Sequence, residues 1–140
     1  MQPTTAKNEQ DMINAGHDAA AGMQAGDVLA LVGDLGSGKT HFTKGLAAGL
    51  GSKAEINSPT FYLVHEYREQ SLPIFHFDFY RIESAEELIA IGWDDYLDAG
   101  GICIIEWADR FPEVLPAYTR WLKLEIQEDR SRLISPIEKP

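Results

Sequence analysis

Gly33-Asp34-Leu35-Gly36-Ser37-Gly38-Lys39-Thr40 satisfies the phosphate-loop pattern GxxxxGK[ST] at every fixed position. Glycines permit positive φ, so successive backbone N–H groups can curl around a phosphate. In such a loop Lys39 reaches the β- and γ-phosphates and the Thr40 hydroxyl sits on Mg²⁺. The helix that follows turns the positive end of its dipole toward the same phosphates. So short a pattern is decided by its flanks. Before it, Val28-Leu29-Ala30-Leu31-Val32 is an apolar run of buried-strand length. After it, Phe42, Leu46, Ala47 and Leu50 fall at helical spacing. Strand, loop and helix is the order the chemistry needs. The bland alternative, a glycine-rich turn that happens to carry a lysine, does not explain both flanks.

Upstream of the loop, residues 8–24 have the pattern of a helix. Asn8 is a capping residue, Met12, Gly16, Ala19, Ala20 and Met23 make a narrow face of mostly small residues, and Gly26 supplies a stop. Downstream, Gly51 to Thr60 is polar and helix-breaking, with Pro59 keeping Ser58 out of the helical region. This segment is expected to be a loop near the phosphates. Residues 61–68 are expected to form a strand, followed by a turn at 70–73. In Ile74-Phe75-His76-Phe77-Asp78-Phe79-Tyr80-Arg81, three phenylalanines alternate with His76, Asp78 and Tyr80. Period two predicts a strand with one aromatic and one polar face.

Ser84 and Glu87 have the spacing of a capping box, Leu88 and Ile91 give the short helix a packing face, and Gly92 stops it. Residues 93–97 fit one further helical turn. Ile102-Cys103-Ile104-Ile105 before Glu106 predicts a strand buried on both faces. Leu122, Leu124 and Ile126 alternate with polar neighbours, and 132–135 can return as a hairpin. Strands interleaved with helices predict an α/β fold: a P-loop NTPase-like three-layer sandwich with a mixed, mainly parallel sheet and an antiparallel C-terminal hairpin. At 140 residues the chain has the size of one domain, 1–140.

Composition narrows the functions. No apolar stretch approaches the roughly 20 residues of a membrane span. Met1 to Lys7 lacks an apolar signal core, so a cytoplasmic location is expected. The single cysteine, Cys103, lies in an apolar run and is expected to be a small buried hydrophobe. The formal charge of −10 opposes extended nucleic-acid binding by this chain alone, while leaving a basic partner surface as a fit.

Outside the loop, a nucleotide site needs another carboxylate for Mg²⁺. Glu106 ends the most apolar strand, and ligands of open α/β sheets sit beyond strand carboxyl ends. A solvated strand-end glutamate is the alternative. Asp78, on the polar face, suits the orientation or deprotonation of an attacking water; an ion pair with Arg81 or another arginine explains it equally well. His76 shares that face, where a structural histidine is the commoner case. Thr60 can contact a γ-phosphate or simply make a turn. Trp107 fits a binding surface or core filler. Arg130 fits a solubilising charge better than a lid over the base. The guanine-reading motif NKxD is absent from the sequence, so ATP is the expected nucleotide. The six arginines are scattered and build no lid, which disfavours a small-molecule kinase, the alternative reading.

With these residues in place, the chain resembles the TsaE family, small bacterial ATPases of tRNA threonylcarbamoyladenosine synthesis. The resemblance is carried by the 33–40 loop, Ser58-Pro59-Thr60-Phe61, His76-Phe77-Asp78-Phe79-Tyr80-Arg81 and Glu106-Trp107 with Leu115-Pro116 downstream, in that order. Glu86-Glu87-Leu88 through Gly92 is similar as well. The resemblance implies ATP and Mg²⁺ as cofactors, with Thr40 and Glu106 as metal ligands. It implies a nucleotide held by Gly33, Asp34, Leu35, Gly36, Ser37, Gly38, Lys39, Thr40 and His41, and it favours Asp78 as a residue of hydrolysis beside Lys39 and Glu106. Glu9 and Arg130 stand where the family touches nucleotide outside the loop. His41 occupies a position where a small hydroxyl residue is commoner. The resemblance further implies a weak ATPase working with TsaB and TsaD, tRNA being engaged only indirectly, through that assembly.

Overall fold

The computed structural model describes residues 2–57 and 63–140. Seven strands form one mixed sheet: β1 (Thr4–Ala6), β2 (Val28–Val32), β3 (Val64–Tyr67), β4 (Ile74–Asp78), β5 (Ile102–Glu106), β6 (Arg120–Ile126) and β7 (Arg132–Ile137). Their spatial order is β1-β7-β6-β2-β5-β4-β3. The central four, β6, β2, β5 and β4, run parallel to one another. β7 pairs antiparallel with β6, and β1 and β3 close the two edges antiparallel.

Alternation along the strands divides the core in two. Leu29, Leu31, Ile74, Ile102, Ile104, Leu122 and Leu124 face α1 (Glu9–Ala20) and α2 (Lys39–Gly49), meeting Met12, Phe42 and Leu46. Val28, Ala30, Phe75, Phe77, Cys103 and Ile105 face the other way, against Leu88 of α3 (Ala85–Ala90) and Trp93 of α4 (Trp93–Leu97). Helices on both faces of a sheet with a parallel centre make the expected three layers. Burial of Cys103 pushes its thiol up from 9.0 to about 12, in keeping with a small hydrophobe.

α1 and α2 approach backbone to backbone. A Cβ on Gly45 would lie 1.8 Å from the Ile13 carbonyl oxygen, and one on Gly16 would lie 2.0 Å from that of Phe42. The two helices therefore interlock through paired glycines, which is why the small face of α1 is small.

Several local expectations shift. α1 ends at Ala20 instead of reaching Gly26, because the Ala21 and Gly22 N–H groups fold back onto the carbonyls of Asp18 and Ala19. Its cap is as expected: Asn8 Oδ1 accepts from the Asp11 N–H at 2.8 Å. The strand from Ile74 stops at Asp78, whose Oδ1 accepts the Tyr80 N–H at 2.8 Å and bends the chain. The capping box is not formed. Ser84 occupies the cap position without a side-chain bond, and Glu87 instead accepts from the Glu83 N–H at 3.4 Å. β1 has no forerunner in the sequence pattern; its three residues add to the free edge of β7. Of the strand expected at 61–68, Val64–Tyr67 is observed, while 61 and 62 lie outside the described residues.

Candidate functional site

The phosphate loop leaves β2 and enters α2 through two positive-φ glycines, Gly36 at 80° and Gly38 at 102°. α2 begins at Lys39, so its free N–H groups open onto the loop. The loop borders a cavity of about 520 Å³ lined by Leu35, Gly36, Ser37, Gly38, Lys39, Thr40 and His41 from the loop and α2. Ala6, Lys7, Asn8, Glu9 and Met12 form one wall, Asp78, Glu106 and Trp107 form the floor, and Arg130 and Arg132 form the rim. A volume of this size suits a small-molecule ligand.

Strand order builds the floor. β5 and β4 are parallel neighbours in a register that places Asp78 beside Glu106, both at strand carboxyl ends. Both are almost fully buried. The Thr40 hydroxyl stands 3.5 Å from each Glu106 oxygen. On its other side Glu106 Oε2 accepts from His76 Nε2 at 2.5 Å. Lys39, also buried, donates to the Gly33 carbonyl and, at 3.2 Å, to that of Asp34. Burial lowers the Lys39 pKa, opposed first by the Glu106 charge and then by Asp78. Its Nζ also lies 4.0 Å from the centroid of the Trp107 ring. Trp107 holds φ at +58°, an uncommon conformation for a bulky residue, and its ring packs against Tyr80 at 4.9 Å. The indole therefore both lines the site and packs on the adjoining core.

Two features fit a polyphosphate. The Ser37 hydroxyl is buried inside the loop with no hydrogen-bond partner among the described residues, so it has a donor to offer an acceptor. The neighbouring peptide is pinned from outside, as the Arg132 guanidinium donates to the Gly36 carbonyl at 3.1 and 3.3 Å. For a metal, the Thr40 hydroxyl and Glu106 carboxylate present the hard oxygen donors that Mg²⁺ takes alongside phosphate oxygens.

The site residues named from sequence thus separate into groups. Leu35 to His41, Asp78, Glu106, Glu9 and Arg130 converge on the one cavity. Glu9 reaches it by sitting 3.5 Å from His41 Nε2, and Arg130 by a left-handed backbone at the β6–β7 turn. Gly33 and Asp34 side with a second depression behind the loop, along with Asp109, Lys123 and Glu125. Thr60 lies outside the described residues. Arg132, Asn8 and Met12 were not foreseen at the site. Arg132 sits two residues past Arg130, on the returning strand, and its bond to the Gly36 carbonyl shows that this strand start faces the loop.

The comparisons with known proteins agree with this geometry. A family profile for "Threonylcarbamoyl adenosine biosynthesis protein TsaE" matches residues 6–134. The tRNA threonylcarbamoyladenosine biosynthesis protein TsaE of Treponema pallidum is 39% identical over 129 residues, spanning 92% of this chain and 95% of that protein. Its counterpart from Bacillus subtilis is 50% identical over 97 residues, which cover 69% of this chain and 60% of the relative. The crystal structure of Bacillus subtilis YdiB superposes with a TM-score of 0.84 at 33% identity, covering 99% of this chain and 85% of that one. Among the described residues no helix is long and apolar enough to cross a membrane. Sequence, fold and site together place the chain in the TsaE family of threonylcarbamoyl adenosine biosynthesis proteins.

Proposed function

We propose that this chain is a weak, partner-gated ATPase that binds ATP with Mg²⁺ and supports tRNA threonylcarbamoyladenosine synthesis through TsaB and TsaD, without transferring the threonylcarbamoyl group itself. The observation that carries the reading is the convergence of Lys39, the Thr40 hydroxyl, the Glu106 carboxylate and the Asp78 carboxylate on one phosphate-loop cavity. Family membership supplies the pathway.

The roles follow from chemistry. The loop N–H groups, the Ser37 hydroxyl and the α2 N-terminus hold phosphate oxygens. Lys39 leaves the Gly33 and Asp34 carbonyls for the phosphates, whose negative charge offsets the burial that lowers its pKa. Bound Mg²⁺ would supply positive charge to offset that of the phosphates. Thr40 and Glu106 hold it from the protein side. In this reading Asp78 orients a water and accepts its proton as the water oxygen bonds to the γ-phosphorus and the bond from that phosphorus to the β–γ bridging oxygen breaks, releasing ADP. Lys7, Asn8, Glu9, Arg130 and Arg132 enclose the rest of the nucleotide.

The test is phosphate release from ATP by the chain alone and with purified TsaB and TsaD, with Glu106→Ala as control. The expected result is slow release alone, stimulation by the partners, and a loss of about a hundredfold or more in the variant, the scale of removing one charge-organising group. If phosphate reaches an acceptor molecule instead of water, the small-molecule kinase alternative replaces this reading. Partners that change neither release nor nucleotide affinity would refute the gating.

A further inference from the structure

We propose that His76 is a positioning residue: it fixes the Glu106 carboxylate in the orientation that receives the metal. The inference rests on the nucleotide and Mg²⁺ reading above and deepens it.

His76 lies one strand over and two residues before the site. The β4–β5 register sets it against Ile104 while Asp78 is set against Glu106, so His76 lies beneath the floor of the cavity and not in its lining. It is fully buried. Below the floor the neighbours on this face are mostly apolar: Ile74, Ile102 and Ile104 share it and are equally buried, with His65 of β3 opposite His76 and with Asp78 and Glu106 one step above. An imidazole there needs a compensating bond, because burying an unpaired polar group costs free energy that an aliphatic residue avoids. The bond it makes is with Glu106. Nε2 to Oε2 is 2.5 Å, short even for a charge-assisted contact. A carboxylate has only lone pairs to offer, so Nε2 carries the proton and donates it. The other ring nitrogen, Nδ1, has no hydrogen-bond partner among the described residues. Its one hydrogen bond among the described residues is therefore spent on Glu106.

The carboxylate is held from two sides. Thr40 Oγ1 stands 3.5 Å from both oxygens and His76 is bonded to Oε2. A glutamate side chain has three soft torsions, and at a strand end it would otherwise sample several rotamers. With Oε2 tied from below, the carboxylate keeps both oxygens 3.5 Å from the Thr40 hydroxyl and leaves Oε1 without the histidine bond, open to a cation shared with Thr40. This is the arrangement by which outer-shell groups orient carboxylate ligands, and losing such a partner lowers metal affinity about 10–100-fold.

The experiment compares His76→Leu, His76→Gln and the unaltered chain. Mn²⁺ serves as a paramagnetic stand-in for Mg²⁺, and its binding in the presence of ADP is read by electron paramagnetic resonance. ADP affinity is measured separately in excess EDTA. The Leu side chain fills the space without a donor, whereas the Gln amide places an N–H near the position of Nε2. For His76→Leu we expect a 10–100-fold loss of Mn²⁺ affinity with metal-free ADP affinity unchanged. For His76→Gln we expect recovery to within a few-fold of the original. Mn²⁺ affinity in His76→Leu within threefold of the unaltered chain would overturn the proposal. So would equal losses in both variants, or a parallel loss of metal-free ADP binding, since those mark general damage to the fold. If the unaltered chain binds ADP without metal but takes up no Mn²⁺ with it, the Mg²⁺ part of the proposed function fails first and this inference falls with it.

Discussion

Substitution of Gly45 by alanine tests whether the phosphate loop is held in place by the α1–α2 contact. Taken alone, the change should help: alanine in a helix interior is better than glycine by about 1 kcal/mol. The packing says otherwise. The new Cβ would start 1.8 Å from the Ile13 carbonyl oxygen and 2.9 Å from the His17 nitrogen. An unstrained contact needs about 3.5 Å, so the helices must part by roughly 1.7 Å. Both obstacles are backbone, and neither can rotate away. Overpacking of this kind costs about 1–3 kcal/mol or somewhat more. With two backbone obstacles the cost lies at the upper end of that range, and the helix-propensity gain of about 1 kcal/mol leaves a net destabilisation of about 2 kcal/mol, or roughly 7 °C in Tm for 140 residues.

The same displacement reaches the site. α2 begins at Lys39, and α1 carries Met12, which packs on Gly38, and Glu9, which sits by His41. Affinity for a fluorescent ADP analogue should fall along with stability. Gly22→Ala is the control. Gly22 has no positive φ and its Cβ would meet only an Arg120 nitrogen at 3.7 Å, so the variant should be neutral or slightly stabilised. Urea and thermal melts followed by circular dichroism give the answer. A Gly45→Ala chain as stable as the original, or more so, would refute the interlocked-helix argument.

Two further outcomes follow from the other face of the sheet. Phe77 is fully buried and meets Trp93 at 4.9 Å and Tyr96 at 5.1 Å, so Phe77→Ala should cost about 3–5 kcal/mol in urea melts; a cost below 1 kcal/mol would mean that this cluster relaxes freely. Cys103 titrates from about 12 in the fold against 9.0 when exposed. Its folded value is the higher, so its contribution to stability is whole below pH 9.0 and is lost as pH rises toward about 12. At pH 8 a thiol reagent should label the native chain negligibly and the urea-unfolded chain once; prompt labelling of native protein would contradict the burial.

What the sequence makes legible is whatever is local. The β2–loop–α2 unit is readable because its pattern is contiguous in the chain, and the position of Glu106 because it directly ends the most apolar strand. Asn8 announces its cap through its own side chain. The edge strand β1 is not readable: three residues carry no period, and they are extended because β7 offers an unpaired edge. Arg132 is invisible for the same reason, since its bond to the Gly36 carbonyl spans 96 residues. Gly16 could be recognised as small, but not as small for Phe42. The strand at Ile74–Asp78 shows the limit most clearly. Alternation correctly separates Phe75 and Phe77 from His76 and Asp78, yet period two cannot distinguish a polar face turned to solvent from one turned to a buried site. The difference lies in the neighbour. Because β4 pairs with β5 in parallel, His76 meets a carboxylate two residues farther along the next strand. Had β4 paired in a register shifted by one, the same alternation would have set its phenylalanines against Glu106. A periodic pattern specifies a face, and only the pairing of strands distant in sequence makes that face a site.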